Sequence, residues 1–464
     1  MFKKTLLLAA VLSTLLACNS QAKVIHSTWV GGPSGQWHEN DNWDPFVFMS
    51  DGPENMFGDS YVVTINKPPL NIDEVTVGLS RGTIIDRLDC YGKVNLENWS
   101  DYYVWLTIPQ SNPPYPPEPN CLANHGDLNI DDRINITADV RNLPGATLVF
   151  GEHIKGEHIN IFGNLYNEAG ATILCDAGEV LIRDGSLVNA GMVMITPHSG
   201  LSVYKRLYNS GRIEIYGGEC SADDILDNDS VGTIEGFGVV YAGRPLINKG
   251  RVYASGGSLA VATEGQVSNL GVIGNSPGAS LNIKIIDIPG NETNYLLADA
   301  NNLGKIEVNA GGSVVFDCNL VNDPNALINL LGGTVAAEKI TQKPGATLQG
   351  FGGITTDVLI SPDGIIKFTG PTNIVGDVNI SEGATLEVSD GTTLITGHCT
   401  CNEGTIHMIG GAIILQGGFT NNNCRIVWEP GLYTNVADFN LDGKVNLKDF
   451  AYFADTWLWE SLVH

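Results

Sequence analysis

The sequence predicts an all-β protein: a single-stranded right-handed parallel β-helix with coils of about 20 residues, followed by a small C-terminal calcium loop plus helix. Three observations lead to this fold class. Asn residues recur at a nearly constant spacing, short alternating apolar runs follow them, and an acidic loop motif lies close to the C-terminus.

The repeat is marked by an Asn that precedes a turn containing Gly. Successive Asn residues are separated by 22, 20, 19, 20 and 21 positions. A fixed period near 20 is typical of a solenoid, in which each coil stacks on the next. We expect these residues to lie in register and to stack into a ladder in which each side-chain amide bonds the backbone of its neighbour: Asn167, Asn189, Asn209, Asn228, Asn248 and Asn269.

Short alternating runs such as residues 212–216 follow the Asn turns and indicate strands with one buried face. Gly, Asn, Asp and Ser bound these runs, as they bound turns. A helical repeat would need long stretches without Gly, whereas the 55 Gly residues are spread along the chain. The turn-strand phrase returns in PGATL at 344 and EGATL at 382, which extends the predicted β-helix to residue 430.

Residues 1–22 are predicted to be a secretion signal, because Lys3 and Lys4 precede an apolar run. This run is too short to span a bilayer, and no apolar run of 18 residues occurs elsewhere. We therefore expect an exported protein, either secreted or at the cell surface. Two alternatives stay open: cleavage after Ala22, or lipidation of Cys18 in a sequence similar to a bacterial lipobox.

The charge of the exported chain is strongly negative. Without residues 1–22 it has 25 − 2 = 23 basic and 51 acidic residues, and thus a net charge of 23 − 51 = −28. This balance argues against nucleic acid or an anionic membrane as partner and suits a protein that binds divalent cations.

The chain divides into four predicted segments. These are the signal 1–22, an N-terminal β segment or cap 23–122 with a Pro-rich loop, the β-helix 123–430 and a calcium-binding repeat 431–464. The phrase STWVGGPSGQWHENDNW contains Trp29, Trp37 and Trp43 and resembles the opening of bacterial surface β-solenoid proteins. We expect these Trp residues to cover the open end of the solenoid; a sugar-stacking platform is the alternative.

Eight Cys residues remain beyond Cys18, and export makes disulfides permissible. Cys90 and Cys121 bracket the Pro-rich loop and are predicted to pair. Cys424 lies about one coil beyond Cys399 and Cys401, so we expect it to pair with one of them. Buried free thiols are the alternative for the three others: Cys175, Cys220 and Cys318.

Three acidic motifs are weaker. In GEHIKGEHI the odd separation of His153 and His158 puts them on opposite sides of an extended chain, which disfavours a metal site with Glu152 and Glu157. The pair Asp223-Asp224 and the distant His398 are fragments of the pectinase motif series, and we expect them to be solvated turn residues. The run 127–131 mimics the start of a calcium loop, but its alternating apolar residues favour a strand.

The C-terminal motif is the most specific. DFNLDGKVNLKDFAYFADTWL resembles one calcium-binding repeat of a dockerin domain. Counted as an EF-hand loop, with Gly443 at the sixth position, the motif supplies six oxygen ligands: Asp438, Asn440, Asp442, Lys444 (through its carbonyl), Asn446 and Asp449. A helix should follow, with an apolar stripe formed by Leu447, Phe450, Ala451, Ala454, Trp457 and Leu458.

The resemblance implies that one Ca²⁺ binds per chain. Dockerins have two such repeats and this chain has one, which argues against docking to a cohesin. We expect an exported cell-surface structural or adhesive protein that is not an enzyme, with calcium and either an extracellular polysaccharide or a surface protein as partners. Two alternatives stay open: a β-helix that binds or degrades polysaccharide, and a docking component of a larger extracellular assembly.

Overall fold

The computed structural model of the protein describes residues 24–44, 53, 60–66, 74–100, 102–109, 120–131, 133–151, 158–176, 178–286, 299–360 and 363–429. It is 65% strand and 1% helix and forms a parallel β-solenoid of about 15 turns. The predicted parallel β-solenoid is thereby confirmed, whereas the right-handed sense of the coil remains a prediction. The predicted C-terminal calcium loop and helix lie outside the described residues, as does the Pro-rich loop 110–119.

Each regular coil contains three strands, because a typical strand pairs in parallel with the strand three further along the chain. We call the strand that carries the repeated Asn face 1, the strand after it face 2, and the strand that completes the coil face 3. The chain forms two compact units, Met1–Leu226 and Asp227–His464.

In the first unit, face 1 contains Val24–Trp29, Ser60–Ile65, Arg87–Cys90, Leu122–Asn124, Val140–Asn142, Leu165–Asn167, Leu187–Asn189 and Leu207–Asn209. Face 2 contains Ser34–Gln36, Val75–Leu79, Lys93–Asn98, Asp127–Ile130, Thr147–Phe150, Thr172–Cys175 and Met192–Ile195. Face 3 contains Thr83–Ile84, Val104–Thr107, Ile134–Thr137, His158–Ile161, Gly178–Ile182 and Ser199–Val203. Arg212–Ala222 bends from face 2 to face 3, Asn40–Asn42 is a 3-10 turn, and Trp43–Asp44 is a short antiparallel strand.

The second unit has the same three faces. Face 1 contains Leu226–Asn228, Leu246–Asn248, Val267–Asn269, Ala300–Asn302, Leu320–Asn322, Val378–Ile380, Cys399–Asn402 and Phe419–Asn422. Face 2 contains Val272–Asn275, Lys305–Asn309, Thr385–Val388, Thr405–Ile409 and Arg425–Glu429, and face 3 contains Ser280–Ile285, Ser313–Phe316, Thr392–Ile395 and Ala412–Leu415. Five long strands bend around the corners: Thr233–Ala242, Arg251–Thr263, Leu327–Gln342, Thr347–Ile360 and Ile365–Val375.

The interior of each unit is filled by the alternating apolar residues of its strands. Ile213 and Ile215 of face 2 are fully buried, as are Leu201 and Val203 of face 3. Burial of one such side chain contributes roughly 1.5–3 kcal/mol relative to its exposure. Because every coil repeats this arrangement, the core runs along the axis of the stack within each unit.

The Asn residues form buried ladders, which confirms their predicted register within each unit. In the first unit Nδ2 of each Asn donates to Oδ1 of the next at 2.7–2.9 Å, through Asn124, Asn142, Asn167, Asn189 and Asn209. In the second unit the distances are 2.7–2.8 Å, through Asn228, Asn248, Asn269, Asn302, Asn322 and Gln342. The ladders thus extend beyond the six Asn residues that the repeat predicted.

Three Trp residues close the N-terminal end of the first unit. Trp29 and Trp37 are fully buried, and Trp43 packs edge-to-face against both, with ring centroids 5.1 and 4.9 Å away. Each indole N–H donates to a backbone carbonyl, that of Gly32, Pro53 or Trp37. The predicted cover is confirmed, and the alternative of a sugar-stacking platform is wrong because the rings are not accessible.

The cysteines follow the predictions only in part. Cys401 and Cys424 form a disulfide, which confirms one of the two predicted pairings of Cys424. The predicted Cys90–Cys121 disulfide is wrong, because both thiols are free and buried. The parallel register explains this: Asn124 lies opposite Cys90, and Cys121 lies three residues before Asn124, ahead of the strand Leu122–Asn124. Three further thiols are buried and free, as the alternative for them stated: Cys175, Cys220 and Cys318.

Candidate functional site

A row of aromatic and polar side chains lies on the outside of face 3 in the first unit. The parallel register places Trp105 opposite Asn135, and Asn135 opposite Asn160, on three consecutive coils. The residues that follow the buried ends of the strands form a second row at the adjacent corner. This row consists of Phe162, Arg183, Tyr204 and Asp223, each with its backbone N–H bonded to the previous coil.

The aromatic part of the site is a stacked pair. Trp105 is 44% exposed, and its ring lies 5.3 Å from that of Phe162 at an interplanar angle of 27°. The alternation of the strand Val104–Thr107 explains the position of Trp105, since Val104 and Leu106 point into the core. Phe162 is half-buried, so the pair presents chiefly the Trp105 ring, a flat apolar surface that the strands beneath it hold in place.

The polar part is a chain of hydrogen bonds in which two buried amides, those of Asn135 and Asn160, hold the half-buried Arg183. Asn160 Nδ2 donates to Asn135 Oδ1 at 2.7 Å, and Arg183 Nε donates to Asn160 Oδ1 at 2.6 Å. The Arg183 guanidinium lies 5.3 Å from the centre of the Tyr204 ring and also donates to its hydroxyl at 3.3 Å. These contacts fix the guanidinium between the Asn160 amide and the Tyr204 ring, so its remaining donors are held in a defined direction.

We call these six residues the aromatic surface: Trp105, Asn135, Asn160, Phe162, Arg183 and Tyr204. From Trp105 to Tyr204 the register advances four coils, or about 19 Å at a strand spacing of ~4.8 Å. The surface is therefore long and narrow. Its shape and chemistry match an extended ligand that presents both apolar faces and hydroxyl groups.

More exposed aromatic residues lie next to it in the sequence. Trp99, Tyr102 and Tyr103 occupy the connection that leads into Val104–Thr107, and all three are exposed. The Trp99 ring lies flat against Gly78, where an added Cβ would approach Trp99 Cδ2 to 2.1 Å. Only glycine at position 78 leaves room for the Trp99 indole. The N–H of this indole donates to Glu97.

The acidic pair singled out in the sequence lies at the end of the corner row. Asp223 follows Tyr204 by one coil, and partial burial raises the pKa of its carboxyl group. Asp224 instead lies 3.5 Å from the guanidinium of Arg206. His398 belongs to the second unit, where its ring contacts the Thr420 hydroxyl and the Gly417 carbonyl. Asp224 and His398 thus each have partners within their own unit.

The other motifs have structural roles where they are described. His158 pairs with Glu179 of the next coil at 3.0 Å, while Glu152, His153 and Glu157 lie outside the described residues. The run at 127–131 contains the strand Asp127–Ile130, as predicted. Within the described ranges no group of three or more His, Cys, Asp or Glu side chains could hold a metal ion. The six predicted calcium ligands all belong to 430–464, which the structure does not describe.

A second charged cluster occupies face 2 of the second unit. The Arg251 guanidinium lies 3.8 Å from the centre of the Tyr253 ring, and Asn309 Nδ2 donates to the Tyr253 hydroxyl at 3.1 Å. Gly274 lies opposite Tyr253 on the next coil, and because it has no side chain the Tyr253 ring can extend over it. Lys305 bonds to Glu307 and lowers the pKa of that carboxyl group. The members of this cluster satisfy one another, which makes it a stabilising network of the outer face.

Sequence reasoning missed the aromatic surface. A signal was present, because Trp105 alternates with apolar residues in YVWLT, which places it on the outside of a strand. Phe162 and Tyr204 are distant in sequence, and only the stacking of the coils brings them into adjacent rows.

Comparisons with known proteins return no match to a family model, to a curated protein or to a solved structure. Among the described residues no helix has the length and apolar character of a membrane span.

Proposed function

We propose that the protein is exported to the cell surface, where its β-helix acts as a rigid adhesive body that binds extracellular polysaccharide along the aromatic surface. The observation that supports this is the stacked Trp105–Phe162 pair, in which Trp105 is exposed, beside the Arg183 guanidinium and the exposed Tyr204 ring. Sugar rings have apolar C–H faces and peripheral hydroxyls, which pair with aromatic rings and with such polar groups.

The test is binding of the full chain to a panel of soluble and insoluble polysaccharides, with Trp105→Ala as the variant. Removal of an aromatic anchor should weaken binding about tenfold, since such a residue contributes on the order of 1–2 kcal/mol. Tyr208→Ala is the matched control, because Tyr208 is an exposed aromatic residue on face 1 of the same unit. Equal binding by the Trp105 variant, or no binding by the parent chain, would refute the proposal.

Cleavage of the bound polysaccharide is a second candidate, favoured by Asp223. Asp223 ends the corner row beside the aromatic surface, and the pKa of its carboxyl group is raised above its usual value, which is the direction that favours a general acid. The same panel should therefore be examined for new reducing ends. Release of reducing ends that is lost in Asp223→Asn would establish cleavage, whereas binding without release would leave adhesion alone.

We further propose that residues 431–464 bind one Ca²⁺ through the loop from Asp438 to Asp449. The sequence supports this, since each ligand position of the loop holds a suitable residue and Gly443 stands at the turn. Three carboxylates in one loop repel one another without a cation, so Ca²⁺ should order the segment. Calorimetry of the full chain should detect one site, with an affinity no tighter than about micromolar, that Asp442→Ala abolishes. Undiminished uptake by that variant would disprove it.

A further inference from the structure

The last coil of the second unit leaves core positions uncovered. Ile426 and Trp428 of face 2 lie opposite Ile406 and Met408 of the preceding coil, at positions that point into the core. Ile406 is buried at 5% exposure, yet Ile426 is 51% and Trp428 60% exposed. The same position of the repeat is therefore covered in one coil and bare in the next.

The last described strands of the other two faces behave in the same way. Phe419 of face 1 lies opposite the fully buried Cys399 and is itself 37% exposed. Ile413 and Leu415 of face 3 continue the buried positions of Thr393 and Ile395 but are only half-buried. We call the five uncovered residues the end patch: Ile413, Leu415, Phe419, Ile426 and Trp428.

The backbone of the last described strand on each face is also unpaired on one side. Within the described part of the chain, Ala412–Leu415, Phe419–Asn422 and Arg425–Glu429 each pair with one strand, that of the coil before. An apolar patch bordered by open strand edges is a site at which another chain segment associates.

The next residues of this chain begin at the patch. Arg425–Glu429 is the last described strand, and Pro430 follows it directly. Proline cannot donate to a strand ladder, so Pro430 does not favour continuation of this strand. The 464 − 429 = 35 residues that follow therefore start at the edge of the patch, with no linker to cross.

The composition of these 35 residues suits an apolar cover. They contain seven aromatic residues, or 7/35 = 20%, against 8% for the whole chain. The aromatic residues are Tyr433, Phe439, Phe450, Tyr452, Phe453, Trp457 and Trp459. The predicted helix carries Phe450 and Trp457 on one apolar stripe, and such a stripe requires an apolar surface to cover it.

We infer that residues 430–464 fold back onto the end patch and close the last coil, with the apolar stripe of the predicted helix against Phe419, Ile426 and Trp428. This inference does not depend on the proposed adhesion or on calcium. The segment acts as a C-terminal cap: it removes the apolar patch from water and blocks the strand edges from pairing with a second molecule.

The experiment compares hydrogen exchange of residues 412–429 in four proteins. These are the full chain, a chain ending at Glu429, the double variant Phe450→Ser/Trp457→Ser, and the control Tyr452→Ser. At 100° per residue Tyr452 lies on the side of the predicted helix away from the stripe. Residues 385–395 of the preceding coils serve as an internal reference for correct folding.

Truncation and the double variant should each speed exchange of the last coil at least about tenfold. The control and the reference residues should be unchanged. Light scattering should show the full chain to be monomeric and the truncated chain to self-associate with rising concentration.

Two results would overturn the inference. One is equal exchange of the last coil in all four proteins. The other is protection of the full chain only at concentrations at which it is dimeric, since the cover would then be a second copy. Should the truncated chain not fold, as judged by the reference residues, the double variant and its control still decide the question.

Discussion

The first coil and the last coil of the described chain differ in how their core residues are covered. A β-helix ends in an exposed core and in unpaired strand edges. At the N-terminal end Trp29, Trp37 and Trp43 fill the exposed core and satisfy their own N–H groups. At the C-terminal end the side chains at core positions are exposed, with Trp428 among them.

The difference between the two ends shows that a Trp residue covers the end of the core only where the chain turns back over it. Trp29 and Trp43 lie opposite each other because the chain reverses into an antiparallel pair. Trp428 lies on a strand that continues the parallel stack, so described chain lies on one side of it only. The topology around the residue, and not its type, decides whether the end is closed. Four predictions follow from this comparison, in order of decreasing effect.

The largest effect should come from a charged residue at a core position of an interior coil. Ile213→Asp would bury an unpaired carboxylate and should cost several kcal/mol, enough to abolish cooperative unfolding. Ile426→Asp, at the equivalent position of the last coil, should cost less than about 1 kcal/mol in a chain ending at Glu429. Urea denaturation followed by circular dichroism measures both. Similar losses at the two positions would show that the last coil is covered by its own strands.

Next in size is the loss of the central indole of the N-terminal cover. Trp43→Ala should lower the free energy of unfolding by about 3–5 kcal/mol, since it opens a cavity between two buried rings. Trp428→Ala should cost less than about 1 kcal/mol in the chain that ends at Glu429, and more in the full chain. Equal costs in the truncated and full chains would contradict the inferred cap.

The disulfide should stabilise only the C-terminal end. Its two cysteines are 23 residues apart, and loss of the bridge in Cys401→Ser/Cys424→Ser should cost about 3 kcal/mol. Hydrogen exchange should become faster in residues 399–429 and stay the same in residues 60–90. Peptide mapping without reduction should find this bridge and leave Cys90 and Cys121 free, because burial raises the pKa of Cys121 to about 11. A Cys90–Cys121 peptide would disprove the assignment.

The smallest effect concerns the interior of the Asn ladder. Asn189→Leu removes an acceptor from Asn167 and a donor to Asn209, and should cost about 1–3 kcal/mol. Gln342→Leu should cost less, since Gln342 accepts from Asn322 but its Nε2 has no hydrogen-bond partner among the described residues. Thermal denaturation of the two variants compares them directly. A larger loss of stability at Gln342 would mean that its Nε2 donates a hydrogen bond to a further group.

The repeat was predictable because its period is local. One Asn per coil and an alternating strand after it are visible in about 20 residues, and stacking in register follows from their repetition. The ladders also extend to Asn124, Asn302 and Gln342, which the pattern did not indicate, because the register of the strands is kept where the surrounding sequence varies.

The contacts between coils were less predictable. Cys90 and Cys121 bracket a loop and so suggested a bridge, but pairing requires a match of register that their separation in sequence does not reveal. The aromatic surface escaped notice for the same reason, since Trp105 and Phe162 come from coils that are not adjacent in the chain.

By itself the sequence determined the fold class, the period of the coil, the buried Asn positions and the Trp cover, because each depends on residues close together in the chain. Tertiary structure alone decided which cysteines meet, which aromatic rings share a surface and which end of the solenoid is left open. These features depend on how many residues lie in the turns of each coil. That number sets which side chains lie about 4.8 Å apart on neighbouring strands, and it varies from coil to coil.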